Sequence, residues 1–273
     1  AARWERAIAH MLDGPIGTAV HLALRLPGGE RRGASVTRTV ALNVRWPLAP
    51  PPLRVDTLPD SVVWVRLSSF TDRAVARAFD RAFPRFDGVR AVILDLREHA
   101  GAGGGQEAGY AILGRLTTRP LITARRRTPQ YRPTPQGEDP ADSTARWVVA
   151  PPDTIPPRED LPAFTGTVVA LTSSRTGGSA EDLLIAFRNA GRGPIIGERS
   201  AGTAGQVGEF PLWKAWRLRM SVTREELPDG TPIDGAGIAP EVQVEEKVGD
   251  FLSGRDAALE RARAYLTEKS PPQ

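Results

Sequence analysis

Two short, wholly apolar runs constrain this chain most. Residues 91–94 and 168–170 are strand-sized and uninterrupted, and each leads through small residues into a helical pattern. Ala91–Leu96 is followed by the glycine-rich stretch Gly101–Gly105 and a helix to about Leu116. Thr167–Thr172 is followed by Gly177-Gly178 and a helix over Ser179–Ala190, stopped by Gly191. Val62–Leu67 and Pro194–Gly197 add two more strands. Thr71 opens a helix whose Val75, Phe79 and Phe83 share one face. Residues 207–223 read as a hairpin around Lys214, and Arg255–Thr267 as a closing helix of mixed charge. Strands alternating with helices predict a layered α/β domain. No run approaches the roughly 18 apolar residues of a membrane span, so a soluble globular protein with no stable membrane span is expected.

The flanks are poorer. Residues 1–12 carry Trp4, Ile8 and Leu12 at helical spacing, ended by Gly14-Pro15. Thr18–Leu24 and Ala34–Val40 read as strands about the Pro27-Gly28-Gly29 turn. One helix and a hairpin are too little for a core of their own. Four prolines between Pro47 and Pro52 mark a linker, taken as 41–53, and the main domain then runs over 54–273. Ten prolines from Pro120 to Pro162 predict an extended strap at about 118–163 rather than a packed element. The chain starts at Ala1 with no charged-then-apolar leader, which reads as a mature product or a fragment with no targeting segment of its own.

Composition removes several kinds of chemistry. With no cysteine there is no thiol nucleophile, disulfide framework or Cys-ligated metal, and no cofactor or metal is called for. A length of 273 residues buries a core without such staples. The net charge is +4, and the densest basic cluster, Arg125-Arg126-Arg127, has no aromatics interleaved. It reads as a solvated face, and no nucleic-acid partner is expected. Only three of the 36 basic residues are lysines, Lys214, Lys247 and Lys269. The sequence carries no signal of oligomeric state.

The chemistry-bearing candidates sit in the two turns. Glycines at Gly101–Gly105 let backbone N–H groups face an oxyanion, although the spacing fits neither a Walker loop nor a dinucleotide fingerprint. In Thr172-Ser173-Ser174-Arg175-Thr176-Gly177-Gly178-Ser179-Ala180-Glu181-Asp182, a hydroxyl stands at a helix N-terminus, whose field stabilises developing negative charge. Ser179 also reads as a plain N-cap, with Glu181 and Asp182 complementing the helix dipole.

Taken together, these turns and their surroundings resemble the C-terminal processing (tail-specific) serine peptidase family, with its tricorn-like and interphotoreceptor retinoid-binding relatives. The marks are Trp64-Val65-Arg66-Leu67-Ser68-Ser69-Phe70, Leu94-Asp95-Leu96-Arg97, Thr176 to Asp182, Gly197-Glu198-Arg199-Ser200-Ala201-Gly202, Pro228-Asp229-Gly230 and Gly237-Ile238-Ala239-Pro240-Glu241-Val242. They run in family order from about Val55 to Val248. The resemblance implies a ββα-type, ClpP/crotonase-like α/β core, preceded by the closing helix and last strands of a PDZ domain at 1–40. It implies a polypeptide substrate or peptide ligand and a periplasmic or extracellular location.

The resemblance also assigns site positions, and several depart from the family pattern. The family's serine stands three residues before the glutamate of a Ser-Ala-x-Glu turn. Counted from Glu181 that position is Gly178, whereas a rival register pairs Ser179 with Asp182. Using Ser179 in place of residue 178 turns the side chain by roughly 100° about the helix. The family's lysine base falls at Thr203, and its oxyanion Gly-Gly pair reads Gly101-Ala102, with the Ser179 N–H completing the hole. Of the three histidines, His10, His21 and His99, only His99 lies near the oxyanion glycine, as a wall of the site or a solvated side chain. Glu225 and Asp234 are candidate orienting carboxylates, or equally surface charges of a hairpin. Gln206 matches a family glutamine. The implied function is a serine endopeptidase acting on unfolded polypeptide C-termini through Ser179. The alternative is an inactive relative that binds peptides or apolar ligands in the same cleft, which Gly178, Thr203 and Ala102 all favour.

Overall fold

Where the sequence shows unbroken apolar runs, the structure places strands flanked on both sides by helices. A computed structural model of the chain describes residues 12, 14–26, 28–39, 50–70, 72–101, 105–130, 146–213 and 216–268. Hairpin β1 (Ala19–Arg25) and β2 (Arg31–Thr37) forms a two-stranded sheet of its own. Then come β3 (Leu53–Leu58), β4 (Val62–Leu67), α1 (Ala74–Ala82), a 3-10 turn at Phe83–Phe86, β5 (Ala91–Asp95) and α2 (Gln106–Leu113). Four short strands follow: β6 (Leu121–Ile122), β7 (Arg125–Gln130), β8 (Arg146–Ala150) and β9 (Thr154–Ile155). After them stand β10 (Thr167–Thr172), α3 (Ser179–Asn189), β11 (Ile195–Gly197), the hairpin β12 (Val207–Pro211) and β13 (Arg217–Ser221), and β14 (Arg224–Glu226). β15 (Val242–Gln243), α4 (Val248–Ser253) and α5 (Ala257–Glu268) close the chain.

The main sheet has the order β15-β11-β10-β5-β4-β3. Every neighbouring pair is parallel except the edge pair β3–β4. Side chains alternate between two apolar layers. Val92 and Leu94 of β5, with Val168 and Ala170 of β10, join Phe79, Ile112 and Leu184 on the side of α1, α2 and α3. Ala91 and Ile93, with Val169 and Leu171, face Ala258, Ala262 and Leu266 of α5 on the other side. A strand covered on both faces needs apolar residues at consecutive positions, which is why these runs do not alternate in the sequence. No helix among the described residues is long and apolar enough to cross a membrane.

Two expectations change. The proline-rich stretch is not a bare strap: β7 lies between β14 and β8, and β6 pairs with β9. Leu121 and Ala124 join the main core. Prolines are tolerated because the ladders are short. Pro129 falls beyond the reach of β14, where β7 has one neighbour only. The second change concerns Arg125-Arg126-Arg127, which is a half-buried strand segment rather than a solvated face. Arg125 and Arg127 pair with Glu226 at 3.5 and 3.0 Å, and Arg126 pairs with Glu225 at 3.3 Å. The helix expected at 1–12 lies, apart from Leu12, outside the described residues, as do residues 131–145 and Lys214.

Candidate functional site

The ends of β5 and β10 are tied together by hydroxyls. Thr176 donates to the Leu96 carbonyl at 2.9 Å and accepts from the Ser173 N–H at 3.0 Å, while Ser173 donates to the Arg97 carbonyl at 2.7 Å. Arg97 is in turn held between Asp95 and Asp256, at 2.8 and 2.7 Å, which joins this strand end to the start of α5. Glu98 and Arg175, one from each turn, line a cavity of about 510 Å³ between the strand ends and α5.

Gly178 is the residue immediately before α3, with φ 55° and ψ −127°. A side chain is strained in that conformation, so glycine fits it at least cost. The space is also taken. A Cβ at 178 would lie 2.9 Å from both the Cα and the carbonyl oxygen of Gly101. Gly101, itself at φ 65°, is packed just as tightly, since a Cβ there would meet the Gly177 carbonyl oxygen at 2.5 Å and the Gly178 nitrogen at 2.7 Å. The two glycine turns therefore touch backbone to backbone. A hydrogen bond from the Gly177 N–H to the His99 carbonyl, at 2.9 Å, fastens them.

His99 sits beneath this contact. It is 1% exposed and packs on Phe70 with ring centroids 4.2 Å apart. Its Nδ1 accepts the Gly101 N–H at 3.3 Å, which leaves the proton on Nε2, a buried atom with no partner among the described residues. Burial lowers its pKa to about 4. His99 is thus a neutral, buried residue rather than a solvated one. It also occupies the Gly101 N–H that was expected to serve an oxyanion.

Glu181 and Asp182 do more than complement a dipole. Glu181 is fully buried and accepts four hydrogen bonds: from Ser200 Oγ at 2.5 Å, Gly202 N–H at 2.8 Å, Thr203 N–H at 2.8 Å and Gly178 N–H at 3.2 Å. Burial pushes its pKa up, and these donors pull against that rise. Asp182 turns the other way, accepting from Gln106, with the Glu225 carboxyl beside it. Burial first, and the Glu225 carboxyl second, push Asp182 well above the usual carboxylate range. Glu225 is fully buried. It is no surface charge, because β14 is laid against β7 and points Glu225 at Arg126. Asp234 accepts the Glu225 N–H at 3.3 Å, and burial raises its pKa to about 6.

The structure thus gathers most of the expected positions. Gly101, Gly178, Ser179 and His99 meet at the two turns, and Thr203 joins them, its hydroxyl filling the place a Gly177 Cβ would need. Ser179 opens α3, is 9% exposed, and neither its hydroxyl nor its N–H makes a hydrogen bond among the described residues. Ala102 lies outside the described residues. Gln206 is exposed and contributes its backbone N–H to Thr223 Oγ1 at 2.7 Å. The sequence reading missed the fourfold use of Glu181, the Asp182–Glu225 pair, and Gln106 between α2 and α3. Among the described residues no group of three or more His, Asp or Glu is arranged to hold a metal ion.

Comparison with known proteins agrees with this frame. A family model described as Peptidase family S41 matches residues 61–244. The chain belongs to peptidase family S41. An S41 relative from Bartonella bacilliformis, a carboxy-terminal-processing protease, is 28% identical over 92 residues, covering 34% of this chain and 21% of that protein. Among solved structures, a putative peptidase from Parabacteroides merdae aligns with TM-score 0.64 and 20% identity, covering 79% of this chain and 64% of its own. The photosystem II D1 C-terminal processing protease aligns with TM-score 0.56 and 22% identity, covering 88% and 58%. Mature CPAF bound to lactacystin aligns with TM-score 0.63 and 15% identity, covering 98% and 71%. At these identities the structures share the S41 fold. The chain spans about a fifth of the curated S41 relative and under two thirds of the first two structures.

Proposed function

We propose that this chain is a non-hydrolysing S41 relative that keeps the peptidase frame as a binding module for polypeptide. The observation that carries the reading is Gly178. Glu181 hooks back onto its N–H, whereas Asp182 does not reach back to Ser179, which supports the register with Gly178 at the family's serine position. That position then has no hydroxyl, and the Gly101 backbone lies where a side chain would begin. Loss of a catalytic serine costs about 10⁶-fold in rate in a protease of another fold. Thr203 at the lysine position supplies no base. The polypeptide partner rests on family kinship, and so does the reading of 1–40 as the end of a PDZ domain.

One observation favours an active peptidase: the unengaged hydroxyl and N–H of Ser179 at the helix N-terminus. Hydrolysis of an unfolded protein by the chain, by Ser179→Ala and by Gly178→Ser separates the readings. The proposal expects no hydrolysis above background in the first two. Gly178→Ser also stays silent, because its Cβ crowds Gly101 and no base stands by. Turnover by the parent that Ser179→Ala abolishes would overturn it and assign the chemistry to Ser179.

A further inference from the structure

The hairpin β12–β13 takes no part in the site, yet it and its turn carry seven of the fourteen large hydrophobic residues exposed among the described residues. Its ladder runs from Val207 opposite Ser221 to Pro211 opposite Arg217, and Leu212 donates its N–H to the Trp216 carbonyl at 2.8 Å to close the turn. Strand alternation puts Gly208, Phe210, Leu212, Trp216, Leu218 and Met220 on one face, apolar throughout. The opposite face holds Glu209 with Arg217 and Arg219, at 3.0 and 3.9 Å.

Exposure is highest at the turn. Phe210 and Leu218, mid-ladder, are each 44% exposed, whereas Trp213 and Trp216 at the turn reach 75% and 73%. A protein partner lying flat on the apolar face would cover Trp216 along with Phe210 and Leu218 and leave Trp213, beyond the ladder, in water. Tip-first contact covers both indoles, and tryptophan is the side chain that settles at the headgroup level of a bilayer. Charge points the same way. From Gln206 to Val222 the sequence holds Lys214, Arg217 and Arg219 against the single acid Glu209. A cationic surface beside an apolar tip suits anionic headgroups above acyl chains.

We propose that this tip inserts, tryptophans first, into the interface of an anionic lipid bilayer and seats the protein on a membrane surface without spanning it. The full chain is floated with vesicles of phosphatidylglycerol and phosphatidylcholine in equal parts, and with phosphatidylcholine alone. The parent is expected to float with the anionic vesicles, with a blue-shifted tryptophan emission, and to bind neutral ones weakly. A Trp213→Ser/Trp216→Ser double variant should bind at least about tenfold less and lose the blue shift. Arg217→Gln/Arg219→Gln should retain part of the binding and lose it at lower salt than the parent. All four side chains are exposed, so an unchanged thermal melt confirms that each variant folds. Equal flotation of the tryptophan variant and the parent overturns the proposal, as does no flotation of the parent. A dimer in sedimentation that the tryptophan variant abolishes, with vesicles ignored, also overturns it and assigns the surface to a second copy of the chain.

Discussion

Glu181 and Asp182 are consecutive acids in the first turn of α3, both buried, and the protein treats them in opposite ways. Glu181 faces four donors, three from one loop and one from its own helix start, and it binds the Ser200–Thr203 loop to the Gly178 turn. Asp182 faces one donor and another carboxyl, and one of its oxygens is buried without a partner among the described residues. Burial, and after it the Glu225 carboxyl, push the pKa of Asp182 well above the usual carboxylate range. What separates the two acids is the direction their side chains leave the helix. One step of about 100° carries the chain from a ring of N–H groups to a second acid. Burial alone therefore does not say whether a charge supports a fold. The count of donors does.

The largest effect expected from this contrast is at Glu181. Glu181→Ala leaves a buried hydroxyl and three N–H groups without their acceptor, a loss of about 4 kcal/mol. Urea unfolding measures it directly. A change under about 1 kcal/mol would mean that water replaces the carboxylate and that Glu181 is no hook.

His99 tests the same turns by pH. Its pKa falls from 6.5 to about 4, so the unfolded chain takes up a proton that the folded chain refuses. The stability this gives is complete above 6.5 and is lost as pH falls through about 4, about 3 kcal/mol in all. The acids oppose it. Asp182 and Asp234 are raised from 3.8, so their contribution is full below 3.8 and is lost as pH rises, through about 6 for Asp234. The two trends overlap and partly cancel in the parent. His99→Gln removes one of them, so between 6.5 and about 4 the variant should gain stability relative to the parent as pH falls. Unfolding profiles that stay parallel across that window would show that His99 takes up its proton without opening the turns.

The frame of the fold was legible, and the reason is local. β5, β10 and α3 each carry their signal within a few consecutive residues: apolar runs with no break, glycines where the chain turns, acids at the helix start. Glu225 was not legible in the same way. Its burial depends on β14 meeting β7, about a hundred residues earlier in the chain, and both segments look like polar surface. Three arginines beside prolines read as solvent-facing until their partners Glu225 and Glu226 are placed opposite. Family spacing marked Gly178, but not the Gly101 backbone against it, since contact between two glycine turns leaves no side-chain pattern to read.

The smallest effect sharpens the contrast most, because it reverses sign between neighbours. Asp182→Asn keeps an oxygen for Gln106 and turns an amide N–H toward Glu225, replacing a carboxyl contact by an ordinary hydrogen bond. Stability near neutral pH should rise by about 1 kcal/mol. The gain should fade as pH falls towards 3.8, where the unfolded chain's carboxyl is protonated too, and stay constant below it. The matching change one residue earlier, Glu181→Gln, points an amide N–H at the N–H groups around it and should destabilise at every pH. Like-signed responses to these two isosteric amides, read by urea unfolding, would mean that donor count does not separate the pair.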